Sequence, residues 1–366
     1  MYIILTQCFP SRVGGIESVV SNLALSLGKK NKVIILADRH HIFYDAIFDN
    51  KHKDNIVVRR FGGLKFFRRR RKIKELKLLI KSNQAKLVIA DTWKSLELCI
   101  DYLITNNIPT MCLAHGNELL FTKEYKKDRI ASTLAKVSTI VANSNYTREL
   151  VKKLIQDKDQ IKVIYPGAND LRSIQAENFI TIEGDPVLLT LARLDKRKGH
   201  AKIIEVLKKL ILKFPKINYF IAGEGSEKSN LQKLVSVHNL EKSVHFTGIV
   251  NDRQKKFLFE NVDLMIMPTL DESDNRSIEG FGISYLEASF FGIPSIASNV
   301  GGTPEAVQHD KTGLIISDQE DLYYALNKLL SNKEKLNQLG KNAKKRAIEE
   351  FTWEIVSSKY LSLIKN

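Results

Sequence analysis

Val187-Leu188-Leu189-Thr190-Leu191-Ala192-Arg193-Leu194-Asp195-Lys196-Arg197-Lys198-Gly199-His200 is the stretch on which the fold turns. Residues 187–191 form a near-continuous apolar run of strand length, the pattern of a strand buried on both faces, and a helix is predicted over residues 200–214. That pair restarts a rhythm the chain has already run through once. Upstream, strands are predicted at 2–6, 32–36, 87–90, 109–113, 139–142 and 161–164, with a helix at 15–29 after the first. Downstream they are predicted at 219–222, 244–247, 264–268 and 294–297. Strands alternating with helices imply parallel sheets covered on both faces with right-handed crossovers, so the expected class is α/β with two such sheets. Between them, Tyr165-Pro166-Gly167-Ala168-Asn169-Asp170 and the polar stretch ending at Gly184-Asp185-Pro186 suit a linker. The expected domains are 1–180 and 181–350, followed by a helical segment 351–366.

Size and composition agree. The chain has 366 residues, more than one core usually holds, and 43% of them are hydrophobic, enough for two. Its three cysteines, Cys8, Cys99 and Cys112, have no paired spacing, which argues against a disulfide framework or zinc knuckle and for a reducing compartment. Met1-Tyr2-Ile3-Ile4-Leu5 runs straight into a strand without a preceding basic region, so no cleaved signal peptide is expected. No apolar run is long enough to cross a bilayer.

The balance of 57 basic against 41 acidic residues, a net charge of +16, predicts anionic partners. Its densest part is Arg59-Arg60-Phe61-Gly62-Gly63-Leu64-Lys65-Phe66-Phe67-Arg68-Arg69-Arg70-Arg71-Lys72, where aromatic residues interrupt a basic run as in interfacial membrane segments. Arg68, Arg69, Arg70 and Arg71 are therefore candidate membrane contacts. A solvated basic loop leading into a helix and a nucleic-acid grip are the competing readings, the latter without any nucleic-acid module motif beside it.

The chemistry-bearing residues fall after predicted strands, where doubly wound sheets bind ligands. Glu279-Gly280-Phe281-Gly282-Ile283-Ser284-Tyr285-Leu286-Glu287 sets two carboxylates around a glycine turn and a helix whose first amides favour an anion. Arg193 offers a planar fork for phosphate oxygens and Lys198 a mobile point charge, whereas Lys196 and Arg197 are expected at a solvated surface. Gly14-Gly15 precedes the helix at 15–29, and its amides suit a diphosphate or sugar; a plain turn is the alternative. Gly223-Glu224-Gly225 closes a strand where small residues would admit a nucleobase or ribose. His115-Gly116-Asn117-Glu118 follows another, and His115 is either a structural histidine or a polar contact to a reacting sugar. Tyr146 and Thr147 follow one more strand, with helix capping as the alternative. Asp157-Lys158-Asp159 reads as a polar turn and not as a metal motif. No helix pairs histidines at metal spacing, so no metal is expected.

In chain order, Gly14-Gly15-Ile16-Glu17, His115-Gly116, Ala142-Asn143-Ser144, Pro166-Gly167, Arg193 with Lys198, Gly223-Glu224-Gly225, Glu279 with Glu287, and Gly301-Gly302-Thr303-Pro304-Glu305 resemble glycosyltransferase family 4, the retaining glycosyl transferases group 1 of GT-B type. The resemblance spans essentially the whole chain. It implies two facing Rossmann-like domains with a deep interdomain cleft, the acceptor on the N-terminal side, the nucleotide-sugar donor on the C-terminal side, and a last helix crossing back to the first domain. It further implies that Glu279 contacts donor-sugar hydroxyls, Gly280, Phe281, Gly282 and Ile283 meet the sugar and diphosphate, and Glu287 binds the ribose. Arg193 and Lys198 would hold the diphosphate, Gly14, Gly15, Gly223 and Glu224 would lie near the donor, and His115 would touch the transferred sugar near its anomeric centre. Glu118, with Asn117, matches the acceptor side. Two departures stand out: Asn169 shifts the acidic residue of its motif to Asp170, and residues 271–276 before Glu279 form a longer acidic stretch.

The expected activity is retaining, metal-independent transfer of a hexose-type sugar from a UDP- or GDP-linked donor, used as co-substrate without a cofactor, to a glycan or lipid-linked acceptor of cell-surface polysaccharide such as lipopolysaccharide, O-antigen or capsule. The expected place is cytoplasmic, peripheral at the inner face of the cytoplasmic membrane, with no nucleic-acid partner. Alternatives are a nucleotide-sugar epimerase or sugar-phosphate synthase on the same architecture, a glycosidase using the two glutamates, and a basic nucleic-acid-binding protein on a non-catalytic fold.

Overall fold

The computed structural model describes residues 1–82, 85–317 and 319–365. They divide into two compact units, Met1–Gly167 with Trp353–Asn366, and Ala168–Thr352.

The first unit holds seven parallel strands: β1 (Tyr2–Thr6), β2 (Val33–Asp38), β3 (Val57–Phe61), β4 (Leu87–Ala90), β5 (Thr110–Ala114), β6 (Thr139–Ala142) and β7 (Ile161–Val163), in the spatial order β3-β2-β1-β4-β5-β6-β7. The central strands are buried along their whole length, which is why they read as apolar runs and not as alternating ones. The order reverses between β1 and β4, so the loops leaving those strands open a crevice at the carboxyl edge of the sheet. The closing helix Trp353–Lys365 packs on the helix Gly15–Gly28 within this unit.

The second unit has six parallel strands: β8 (Val187–Leu191), β9 (Asn218–Ala222), β10 (Val244–Gly248), β11 (Leu264–Met267), β12 (Ser295–Ser298) and β13 (Gly313–Ile316), ordered β10-β9-β8-β11-β12-β13. Its switch point lies between β8 and β11. Its core joins Leu188, Tyr219, Ile266 and Ile296 of the sheet to Ile203, Leu207 and Leu326 of the covering helices.

The units part at Gly167, earlier than the boundary near residue 180 expected from sequence. Residues 168–180 are tied to the helix Asp252–Glu260 of the second unit: the Glu177 N–H donates to the Arg253 carbonyl at 3.1 Å, and Lys256 Nζ donates to the carbonyls of Arg172 and Ile174 at 2.9 and 2.8 Å. Two strands escaped prediction. β3 is an edge strand with arginines interleaved and little burial, and β13 is a four-residue strand inside a glycine-bearing turn. The basic run also differs from a loop leading into a helix, because the helix starts at Lys65 and continues to Ser82. Asp157–Asp159 is the expected turn, with the Asp159 N–H donating to Asp157 Oδ1 at 3.0 Å.

Candidate functional site

The second unit concentrates charge at the carboxyl ends of β8 and β11. After β8 the chain makes a short 3-10 turn over Lys196–Lys198 and enters the helix His200–Leu210 through Gly199. Gly199 is left-handed at φ +75°, and a Cβ there would overlap the Pro268 carbonyl oxygen, so only glycine lets the turn close against β11. The turn decides which cation faces where. Lys196 is exposed, whereas Arg197 is buried, contrary to the solvated position expected for it.

Both Arg197 and Lys198 reach Glu279, in the loop that follows β11. Arg197 Nη1 donates to Glu279 Oε2 at 2.7 Å and Lys198 Nζ donates to the same oxygen. Burial alone would raise the Glu279 carboxyl, but the Lys198 and Arg197 charges and hydrogen bonds outweigh it and hold it at about 2. Burial in turn pulls the Lys198 ammonium down against the opposing pull of Glu279. Two cations facing one carboxylate leave this cluster net positive, and the buried Arg197 Nε has no partner among the described residues. Such a cluster attracts an anion. Arg193 stands apart from it, exposed and paired to Asp195 at 3.0 Å.

The Glu279 backbone is fixed by the turn after β12. The Gly302 N–H donates to the Glu279 carbonyl at 2.9 Å, and Thr303 Oγ1 closes the same turn onto the carbonyls of Ser298 and Val300. Gly301, at φ +59°, packs so close to the Glu279 carbonyl that a Cβ would overlap it. From Gly280 and Gly282 the chain enters the expected helix, Ile283–Phe290, with Tyr285 Oη donating to the Met267 carbonyl at 2.7 Å. Phe281 is buried against Phe351, with ring centroids 6.1 Å apart, so its side chain belongs to the core and only its backbone is left for a ligand. Glu287 is buried, and burial pushes its carboxyl up while Lys255, 3.5 Å away, resists. Gly223 has a packing role: at φ +144° it lets the end of β9 pass the Ala192 carbonyl, and its N–H donates to the Gly248 carbonyl at 2.8 Å. Glu224 pairs with Lys228 at 2.7 Å.

In the first unit, Gly14 and Gly15 do precede a helix, but its first turn already carries an anion. Glu17 is buried, paired to Arg12 at 2.9 Å, and a Cβ on Gly14 would overlap its carboxylate. An incoming phosphate would meet that charge, so these glycines suit the approach of a neutral group. His115 follows β5. Its Nε2–H donates to the Asp91 carbonyl at 3.0 Å, which leaves Nδ1 for a ligand. Glu118, expected on the acceptor side, caps its own turn: Oε1 accepts from the His115 and Gly116 amides at 2.7 and 3.4 Å, and its buried Oε2 has no partner among the described residues. Asn117 begins the 3-10 turn Asn117–Leu119. Ser144 caps the helix Asn145–Lys152 by accepting from the Thr147 N–H at 3.0 Å, which settles Thr147 as a capped-turn residue.

Three site residues went unread in the sequence. Asp91, at the end of β4, accepts from Thr6 Oγ1, the Gln7 and Cys8 amides and Ser95 Oγ at 3.0, 2.7, 3.2 and 2.6 Å, tying the two loops of the switch point together. An acidic residue directly after an apolar strand was the available signal. Arg197 and Lys255 had none, since each sits among other basic residues. In the basic run, Arg68 pairs with Asp38 at 2.8 Å, Arg69 with Glu97 at 2.8 Å, and Arg71 bonds the Gly62 carbonyl, so Arg68 and Arg69 are held within the unit and do not face outward as membrane contacts. Among the described residues no helix is long and apolar enough to cross a membrane.

Two family models match, Glycosyltransferase Family 4 over residues 13–171 and Glycosyl transferases group 1 over residues 173–346. A GDP-mannose-dependent alpha-(1-6)-phosphatidylinositol monomannoside mannosyltransferase of Mycobacterium tuberculosis is 29% identical over 182 residues, 49% of this chain and 47% of the relative. The match thus spans about half of that relative's length. Among solved structures, Anabaena Alr3699/HepE in complex with UDP superposes with a TM-score of 0.81 at 19% identity, covering 100% of this chain and 99% of the other. The lipopolysaccharide outer core galactosyltransferase WaaB does so with a TM-score of 0.73 at 16% identity, covering 100% and 99%. At these identities the two structures speak to the fold.

Proposed function

The chain belongs to glycosyltransferase family 4, the glycosyl transferases group 1, and from that membership we propose that it moves a hexose-type sugar from a nucleotide-diphosphate sugar to a glycan or lipid-linked acceptor in cell-surface polysaccharide synthesis, with retention at the anomeric carbon. One observation carries the proposal. The half-buried Glu279 carboxylate is held between Lys198 and Arg197 at the switch point of the second sheet, which supplies a fixed carboxylate for sugar hydroxyls beside cations for a diphosphate. The GDP-mannose in the mannosyltransferase's name and the UDP in the Anabaena complex support a UDP- or GDP-linked donor.

Breaking the bond from C1 to the β-phosphate oxygen puts negative charge on the departing diphosphate and positive character on the sugar. Lys198, with Arg193 at the mouth of the same loop, meets the negative charge where it develops, without a metal ion. In this reading the acceptor oxygen bonds C1 on the face the diphosphate leaves, and the leaving phosphate oxygen takes the acceptor proton. Glu287 takes the ribose hydroxyls, and His115 is assigned to the transferred sugar. The enzyme works at the inner face of the cytoplasmic membrane as a peripheral protein.

The test is incubation of the purified protein with UDP- and GDP-hexoses and a lipid-linked glycan acceptor, followed by product mass and the anomeric proton coupling by NMR. Extension by one hexose with the donor's configuration supports the proposal; inversion removes retention, and an epimerised nucleotide sugar or a sugar phosphate in place of glycan extension replaces transfer with another activity of the same architecture.

A further inference from the structure

The helix Lys65–Ser82 sorts its cations by face. On the inward face Arg68, Arg69 and Lys72 are paired with Asp38 and Glu97, and Leu76 and Leu79 enter the core. On the opposite face Arg70, Lys74, Lys77 and Lys81 follow one another at three- and four-residue spacing, so they stack along a single stripe. None of these four has an ion pair among the described residues. The Arg70 guanidinium lies 3.6 Å over the Phe66 ring and Lys77 Nζ 4.7 Å over the Tyr102 ring. Beside the stripe runs a groove of about 620 Å³ lined by Ile73, the half-exposed Leu78 and Leu98, the four cations and Tyr102, whose buried hydroxyl has no partner among the described residues.

The end of the helix nearest the carboxyl edge of the sheet is apolar and uncovered. Leu64 is 75% exposed and Phe67 59%, and the helix Ile42–Lys51, which follows the neighbouring strand β2, exposes Ile42, Phe43 and Tyr44 at the same edge. Cations without ion pairs along a helix, exposed leucines beside them and aromatic residues at one end are the components of an interfacial segment. A polyanion such as RNA would use the cations but has no need of exposed leucine and phenylalanine beside them, whereas a lipid surface uses both.

We propose that the outward stripe of the helix Lys65–Ser82 and its groove bind the anionic phospholipid headgroups of a membrane surface, with Leu64, Phe66 and Phe67 entering the interfacial layer. This rests on the peripheral-membrane part of the proposed function and not on its donor chemistry. The contact therefore shifts from Arg68 and Arg69, which the fold consumes, to Arg70, Lys74, Lys77 and Lys81.

The experiment is sedimentation of the full chain with phosphatidylcholine vesicles with and without phosphatidylglycerol. The wild-type protein should partition onto the phosphatidylglycerol vesicles only. Each cation near an anionic surface contributes roughly fivefold in partitioning, so K74Q/K77Q/K81Q should weaken binding about a hundredfold, while K208Q/K209Q on the second unit leaves it unchanged. L64S/F67S should weaken the binding that survives in high salt, where surface charges are screened. The melting shift with a nucleoside diphosphate should be the same in the triple variant as in the wild type, which shows it folded. A protein that binds the vesicles but no nucleoside diphosphate keeps this site and loses the proposed reaction. Vesicle binding unaffected by the triple substitution, equal loss in the K208Q/K209Q control, or binding to single-stranded RNA and not to vesicles would overturn the site.

Discussion

Replacing Glu279 by glutamine should destabilise the second unit and leave the first intact. Lys198 and Arg197 hold the carboxyl at about 2, well below the ordinary glutamate value of about 4.3. At 1.36 kcal/mol per unit, that shift corresponds to about 3 kcal/mol of stability, and this is an upper figure because burial pulls Lys198 down at the same time. The variant also leaves the buried Arg197 and the half-buried Lys198 without their shared anion, a loss of the same order. For a unit of this size the loss lowers the melting temperature by about 6–12 °C. The pH dependence has a definite sign. A carboxyl depressed in the folded state stabilises above its unfolded value and loses that contribution as pH falls toward the folded one. The gap between wild type and E279Q should therefore be full at pH 7 and close between about pH 4.5 and 2. Both tryptophans, Trp93 and Trp353, belong to the first unit. Tryptophan fluorescence thus follows that unit while calorimetry follows both. Calorimetric unfolding of E279Q that matches the wild type at pH 7, or a gap that persists unchanged at acid pH, would show that Glu279 contributes no such stability.

Arg193→Ala should separate activity from stability: its exposed pair with Asp195 is worth at most about 1 kcal/mol, yet turnover should fall on the order of a hundredfold if it meets leaving-group charge, as steady-state kinetics beside urea unfolding would read. Lys255→Met removes the cation that opposes burial at Glu287, so the Glu287 carboxyl should rise further. Nucleotide affinity measured by calorimetry should then fall roughly tenfold for each pH unit below the raised value, a decline that begins at higher pH than in the wild type; parallel profiles would remove Lys255. Gly301→Ala should cost about 1–3 kcal/mol in the melting of the second unit, because the residue is left-handed and abuts the Glu279 carbonyl; equal melting would show that the turn yields.

The strands that place the site were legible because they are buried along their length. β1 and β8 read as near-continuous apolar runs, and the carboxylates, glycines and cations of the site follow strands of this kind. What sequence could not supply was the direction in which neighbouring cations point. Lys196, Arg197 and Lys198 are consecutive, and only the 3-10 turn closed by Gly199 sends the first outward and the other two to Glu279. The same holds for Arg68, Arg69 and Lys72, whose partners Asp38 and Glu97 come from distant parts of the chain. Nor does the spacing of Glu118 from His115 reveal that its carboxylate returns to that residue's own amide. β3 was hidden by the arginines that an edge strand tolerates.

The central claim is that the second unit binds a nucleoside diphosphate through the Glu279, Lys198 and Arg193 loops. It is tested most directly by the melting of the wild type and of Lys198→Met in the presence of UDP or GDP. At a ligand concentration a hundred times its dissociation constant, one of the two should stabilise the wild-type protein by about 2.7 kcal/mol and lose most of that effect in the variant. If neither nucleotide raises the wild-type melting temperature, or if the variant responds as fully as the wild type, the donor site is not where this account puts it.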